Sequence, residues 1–160
     1  MQTIYARAIL YAYPNLTKNM DNLDRSIMKK ALNSINDSSS CIEQCEHIMV
    51  LKLQREILFD LKDVMDSVFA QLSEDENEIL KGRYFTTSSK MANVELMFSY
   101  PNAYYRAHDR CINKIINYLK LSGITEETFK TGYLEEYIKP YLRKAEKRKS
   151  PSKKNEVNKK

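Results

Sequence analysis

The sequence predicts an all-α protein, and three observations support that prediction. Apolar residues recur every three or four positions along most of the 160-residue chain, which is the period of an amphipathic helix. The chain has only three glycines and four prolines, the residues that most often interrupt helices. Its composition, 42% hydrophobic and 29% charged, is typical of globular proteins. We therefore expect helices throughout, packed around one core or forming two small modules.

Residues 1–72 predict a helical hairpin that acts as a support or oligomerisation region. A short helix over residues 2–13 ends before a proline, and an apolar stripe at helical spacing resumes over residues 16–35. A polar turn follows, in which Ser39 or Ser40 can cap the next helix. That long helix carries the apolar pattern to the end of the region. We expect two antiparallel helices with the short first helix packed on them.

The stretch LSEDENEILKGRYF, residues 72–85, predicts a helix that starts at Ser73. Ser73 is followed three residues later by Glu76, which is the spacing of a capping box. Three consecutive acidic residues stand where the N-terminus of a helix is partially positive. Ile79 and Leu80 supply its inward face.

The segment that follows predicts the remaining parts of a helix-turn-helix. Residues 89–97 can form a short helix, and residues 98–100 make a tight connection to the next one. Pro101 suits the first position of a helix, where its missing N–H costs nothing. The last helix should cover residues 101–120. A short middle helix and a three-residue turn describe this motif, so we assign residues 73–122 to a DNA-binding domain.

The motif assigns roles to the exposed residues of its last helix, because the N-terminal part of that helix enters the major groove of DNA. Asparagine pairs bidentately with adenine and arginine with guanine, while alanine and tyrosine touch the thymine methyl group. Basic residues nearby contact phosphates and fix the register. The residues predicted to face base edges are Asn102, Ala103, Tyr104, Arg106, Ala107 and Arg110, and those predicted to contact phosphates are Arg83, Lys90 and Lys114.

Two parts of this segment, LSEDENEILKGRYF and SKMANVELMFSYPNAYYRAHDRCINKI, resemble the DNA-binding region four of bacterial sigma factors. They resemble the ArpU- and RinA-type phage regulators more closely. The matching residues are Leu72, Glu76, Ile79, Leu80, Arg83 and Tyr84 in the first part, and Tyr104, Tyr105 and Arg106 in the second. The chain departs from the family at Ser99, where glycine is commonest, and at Pro101, where a Ser or Thr cap is usual. The resemblance implies a phage or mobile-element transcription activator that binds double-stranded DNA. A helix that follows this segment is a candidate for a dimer contact or for docking on RNA polymerase.

Residues 123–142 predict one more helix, capped by Thr125 and stopped near Pro140, which packs on the same core or contacts a partner. Residues 143–160 hold nine Lys/Arg and two Glu, a net charge of +7, which leaves seventeen basic and nineteen acidic residues in the rest of the chain. We expect this basic tail to be disordered. Its charge suits loose attraction to nucleic acid or to an acidic surface.

Catalytic and cofactor motifs are absent from the sequence, which has no Ser-His-Asp arrangement, glycine-rich phosphate loop or HExxH. We therefore expect neither an enzyme nor a cofactor. Cys41, Cys45 and His47 do not share one helical face, so we expect no metal site. Three cysteines and an N-terminus unlike a signal peptide indicate a cytoplasmic protein with reduced thiols. No apolar run approaches the roughly 18 residues of a membrane span, so no membrane partner is expected.

Two other functions are compatible with the same helices. One is a small terminase subunit, which recognises viral DNA for packaging through a helix-turn-helix and assembles into a ring. A discrete ring of copies would favour that function, and a monomer or dimer would favour the regulator. The other is a helical module that binds a partner protein instead of DNA. Loss of DNA binding in a folded double variant, Asn102→Ala with Arg106→Ala, would count against this module.

Overall fold

A computed structural model describes residues 2–33, 40–85 and 101–147 of the chain. The secondary structure within these ranges is helical. No strand occurs within these ranges, so the all-α prediction is confirmed there. None of the described helices is both long and apolar enough to cross a membrane. A 3₁₀ turn at Tyr13–Asn15 joins the first two of the helices, which are α1 (Thr3–Ala12), α2 (Leu16–Asn33), α3 (Cys41–Gln71), α4 (Glu74–Tyr84), α5 (Pro101–Leu121), α6 (Glu126–Thr131) and α7 (Leu134–Lys147).

Helices α2 and α3 lie side by side and antiparallel. Arg55 donates to Asp24 at 2.7 Å, and the Lys30 Nζ and His47 Nδ1 atoms lie 3.4 Å apart. A capping box at Ser40 starts α3, which decides between Ser39 and Ser40, the two caps that the sequence allows. The buried residues of this pair belong to the first half of α2 and the second half of α3, where the two helices join the rest of the molecule.

Helix α1 packs chiefly against α7 and α5. The prediction that α1 packs on the α2–α3 pair is therefore wrong. The physical reason is that α1 is apolar on nearly all sides, and Ala8, Ile9 and Leu10 are fully shielded from solvent. Such a helix must be covered by more neighbours than two helices on one side can provide. One continuous apolar core extends from Ala6 to Ala145, across the predicted boundaries at residues 72 and 122.

Two predictions about the C-terminal region are wrong. Two helices, α6 and α7, occupy it instead of one, and α7 passes through Pro140 to Lys147. The basic tail is thus helical over residues 143–147. Burial explains why the helix continues past Pro140. Ile138 and Ala145 are fully shielded in the core, and the free energy of burying them offsets the cost of the hydrogen bond that Pro140 cannot donate. Residues 148–160 lie outside the described ranges.

The corner between α3 and α4 is held by side chains that bond to the backbone. The capping box predicted at Ser73 is present: the Ser73 Oγ accepts from the Glu76 N–H at 3.3 Å, and the Glu76 carboxylate accepts from the Ser73 N–H at 3.1 Å. The Asn77 amide donates to the carbonyl of Phe69 at 3.1 Å and to that of Leu72 at 3.3 Å. These bonds satisfy backbone groups that both helix ends would otherwise leave open.

Helix α5 ends where the sequence predicts. Gly123 adopts a positive φ of 77°, and the Ile124 N–H donates to the Leu119 carbonyl at 2.8 Å. That conformation closes the helix and is strained for residues with a Cβ. The predicted short helix over residues 89–97 and the turn at residues 98–100 lie outside the described residues.

Candidate nucleic-acid interface

Helices α4 and α5 cross in close contact, and this contact sets which side of α5 faces solvent. Ile79 of α4 forms a small apolar cluster with Tyr104 and Ala107 of α5. In the first turn of α4, the Glu76 carboxylate pairs with the Lys114 ammonium of α5. That pair lowers the pKa of Glu76 and raises the pKa of Lys114, chiefly through their hydrogen bond.

A hydrogen-bonded histidine lies under the N-terminal half of α5. His108 is 1% exposed, with its Nε2 2.9 Å from the Tyr84 hydroxyl and its Nδ1 3.3 Å from the Asp109 carboxylate. Burial first, and then the nearby Arg83 and Arg7 charges, lower the pKa of His108 to about 4 against the opposing effect of Asp109. The imidazole is neutral at pH 7 as a result. Since a carboxylate only accepts, Nδ1 carries the hydrogen and Nε2 accepts from Tyr84.

Arg83 belongs to the same buried network. Only 7% of it is exposed, and its guanidinium lies 6.0 Å from the centroid of the Tyr105 ring. Burial acts to lower the pKa of Arg83, but the combined effects of the nearby tyrosine side chains, Tyr104 foremost, outweigh it and the net shift is upward. The prediction that Arg83 is available to a phosphate is therefore wrong in this arrangement. Its charge is enclosed by aromatic rings because α4 ends against α5 at this point.

Two residues predicted to face the DNA are buried as well. Tyr104 is 1% exposed and Ala107 is 8% exposed, because both pack against Ile79 of α4. Tyr105, the next residue, is only half-buried. The buried side of α5 therefore begins at Tyr104 and continues through Ala107 and His108.

The remaining predicted residues form an exposed surface on α5. Asn102, Ala103, Arg106 and Arg110 are all exposed. Asn102, Arg106 and Arg110 are spaced by four, so they stand one above another on neighbouring turns. We call the set Asn102, Ala103, Arg106, Arg110, Asn113 and Asn117 the α5 polar face, since the exposed amides of Asn113 and Asn117 continue it.

Asn113 and Asn117 were not among the predicted contacts. The signal that could have identified them is their spacing from Arg110, which keeps them on the same side of the helix. Lys114 is exposed but engaged with Glu76. Lys90 lies outside the described residues.

Charge is distributed unevenly along the α5 polar face. Its N-terminal half carries Arg106 and Arg110, with Asp109 between them held 3.7 Å from Arg7. The C-terminal half lies near the acidic first turn of α4, as the Glu76–Lys114 pair shows. The N-terminal half is therefore the end better suited to a polyanion.

Cysteine, histidine and carboxylate side chains do not form a ligand set of three or more anywhere in the described ranges. Cys41 and Cys45 are exposed, and burial raises the pKa of the Cys111 thiol to about 11. Comparison of the chain with protein-family models, with curated proteins and with solved structures finds no match. The candidate site consists of the α5 polar face and the buried network around His108 that supports it.

Proposed function

We propose that this chain is a sequence-specific double-stranded-DNA-binding protein, in which α4 and α5 are the first and last helices of a helix-turn-helix. The observation that carries the proposal is the stacking of Asn102, Arg106 and Arg110 on one exposed side of the N-terminal half of a 21-residue helix. An α-helix fits the major groove, where arginine pairs with guanine and asparagine with adenine.

The buried network supports the proposal because it fixes α5 from behind. His108 bonds to Tyr84 of α4, and the buried Arg83 of α4 lies against the Tyr105 ring. Side chains anchored in this way hold the helix in one orientation before DNA arrives. A pre-organised surface loses less conformational freedom on binding.

The biological role that we propose is that of a phage or mobile-element transcription regulator. Its support is the resemblance of residues 72–120 to region four of sigma factors and to the ArpU- and RinA-type regulators. RNA polymerase and a second copy of the chain are the further partners that this role implies. The basic residues beyond Lys147 supply non-specific attraction to DNA.

The test is fluorescence anisotropy of the full chain with labelled duplexes, one of random sequence and others from the genomic neighbourhood of its gene. We expect tighter binding to a particular fragment, and affinity that falls as salt rises because bound counterions are released. Replacing Arg106 and Arg110 by alanine should abolish that preference, because each bidentate contact to a base contributes roughly 1–3 kcal/mol.

The matched control is Lys120→Ala, which removes one exposed charge from the far end of the same helix. It should retain the fragment preference, and circular dichroism should show equal helicity for all variants. A chain lacking residues 148–160 separates the helix from the tail. Preference that survives this deletion supports the proposal, whereas binding that vanishes with the tail, or never prefers one fragment, contradicts it.

A further inference from the structure

The outer half of the α2–α3 pair exposes large apolar side chains. Met28 is 66% exposed and Leu32 71% on α2, while Ile42 is 72% and Met49 69% exposed on α3. All four belong to the apolar patterns that predict these two helices. We call residues 16–33 of α2 together with residues 41–60 of α3 the arm. The buried residues in the first half of α2 and the second half of α3 join the arm to the core.

These side chains lie on two opposite edges of the arm. Each residue turns an α-helix by about 100°, so Met28 and Leu32 point roughly 110–150° away from the buried stripe of α2. On α3, Met49 and Leu53 point roughly 120–160° away from the residues that face α2, such as Arg55. The α2 edge is defined as Lys18, Arg25, Met28, Lys29 and Leu32, and the α3 edge as Ile42, Glu46, Met49, Leu53, Glu56 and Asp60.

The two edges carry opposite charge. Lys18, Arg25 and Lys29 make the α2 edge basic, although Asp21 lies beside them. Glu46, Glu56 and Asp60 make the α3 edge acidic, although Lys52 borders it. Within the described residues, none of the six charges that define these edges forms an ion pair in the single chain. Each edge thus joins an apolar strip to a net charge, positive on the α2 edge and negative on the α3 edge.

The charges and apolar residues also occur at matching levels along the arm. Asp24 is level with Arg55 and Lys30 with His47, as their contacts show. Counting along the two antiparallel helices from these pairs places Lys18 level with Asp60 and Met28 level with Met49. A rotation about an axis parallel to the arm does not shift residues along the arm. In a neighbouring copy related by such a rotation, Lys18 of one copy would therefore meet Asp60 of the next, and Met28 would meet Met49.

We propose that arms of successive copies of this chain pack side by side, with the α2 edge of one copy on the α3 edge of the next. Lys18 then faces Asp60, Met28 faces Met49, and Arg25 lies within a turn of Glu56. Each copy offers both edges, so the contact is heterologous and continues from copy to copy into a closed ring or a helical filament. This proposal stands independently of whether the α5 polar face binds DNA, but a closed ring would favour the small terminase subunit over the transcription regulator.

Light scattering coupled to size-exclusion chromatography tests the proposal on the full chain over a series of concentrations. We expect assemblies larger than a dimer. One variant reverses the α2 edge (Lys18→Glu, Arg25→Glu, Lys29→Glu), and a second reverses the α3 edge (Glu46→Lys, Glu56→Lys, Asp60→Lys). Each variant alone presents two edges of like charge and should be monomeric. Mixed in equal amounts they present complementary edges at every junction, so assembly should return.

The control reverses three exposed charges outside the arm (Lys81→Glu, Lys120→Glu, Arg143→Glu) and should keep the wild-type mass. Helicity by circular dichroism confirms that each variant folds. If a triple variant fails to fold, the double variant Met28→Ser with Met49→Ser tests the same junction. A monomeric or strictly dimeric wild type overturns the proposal. So does an α2-edge variant that assembles like the wild type, or a mixture of folded variants that stays monomeric.

Discussion

Arg83 and Arg106 show how one residue type can serve two purposes in the same unit. The guanidinium of Arg83 is enclosed by Tyr104 and Tyr105 at the end of α4, whereas Arg106 is exposed on α5. The buried Arg83 guanidinium lies against the Tyr105 ring, whose face attracts a cation. Arg83 is therefore a residue that positions α5, and Arg106 is the residue that remains available to a ligand.

His108 makes the stability of the fold depend on pH. Its folded-state pKa of about 4 lies below the ordinary value of 6.5, so the unfolded chain binds the proton more readily than the folded chain does. The stability that the neutral imidazole supports is fully present above pH 6.5. It is lost as the pH falls from there toward 4.

We expect the wild-type chain to lose about 2 kcal/mol of unfolding free energy through His108 between pH 7.5 and pH 5. His108→Gln removes the titrating group while keeping an amide near Tyr84, and its stability should change less over the same interval. Denaturant unfolding at both pH values measures the difference. His47→Gln, at an exposed position, should behave like the wild type. Equal losses in wild type and His108→Gln would contradict this account.

Helix α7 shows at the level of an element how packing overrides local preference. Pro140 in its interior lacks the N–H that would bond to the Glu136 carbonyl, and its ring crowds the preceding turn. The helix nevertheless continues because its second half covers α1, where the Lys144 ammonium lies 4.4 Å from the centroid of the Tyr11 ring. Pro14 is different, since it occupies the first turn of a 3₁₀ helix, where proline fits.

This contrast predicts opposite effects for the same substitution at two prolines. Pro140→Ala should raise the unfolding free energy by about 1–2 kcal/mol, because it restores a helical hydrogen bond and removes a steric clash. Pro14→Ala should leave it unchanged or lower it, because the unfolded chain gains freedom and the folded chain gains no bond. Thermal and denaturant unfolding of the two variants compare them directly. A Pro140→Ala chain less stable than the wild type would show that the ring packs in a way that alanine cannot replace.

The whole molecule combines a continuous core with an arm that has little burial of its own. Helices α1, α4, α5, α6 and α7 and the inner parts of α2 and α3 enclose the core, while the outer part of the arm contains no fully buried residue among those described. Regions with few buried contacts open locally at low free-energy cost. The core therefore sets global stability, and the arm depends on its partner helix or on a neighbouring copy.

Hydrogen exchange should make this difference visible. In dilute protein, amides of residues 24–33 and 41–52 should exchange faster than those of α1 and α7, because less apolar surface protects them. Protection of the arm should rise with protein concentration if copies associate through its edges. Exchange followed by mass spectrometry at two concentrations measures both effects. Arm amides as slow as those of α1 in a monomeric chain would contradict this division.

Assembly through the arm bears on the choice among the proposed functions. A closed ring of copies would place several α5 polar faces around one axis, an arrangement expected of a packaging protein. A regulator needs no more than one or two such faces on its operator. Mass measurement and DNA preference together therefore separate a transcription regulator from a small terminase subunit.

Local sequence is enough to predict most of the helices and many of their ends. Capping boxes at Ser40 and Ser73 and the stop at Gly123 follow from local hydrogen bonding and backbone freedom, which neighbouring residues decide. The exposed positions of Asn102, Arg106 and Arg110 also followed from their spacing and polarity.

Only the tertiary structure decided how those helices face one another. The burial of Tyr104 and Arg83, the passage of α7 through Pro140 and the exposure of Met28 and Met49 all depend on which helix lies alongside. The period of the apolar residues shows which side of a helix is apolar, but it does not show which partner covers that side. Burial is a property of two surfaces, and the second surface comes from a distant part of the chain or, at the arm, from the proposed neighbouring copy.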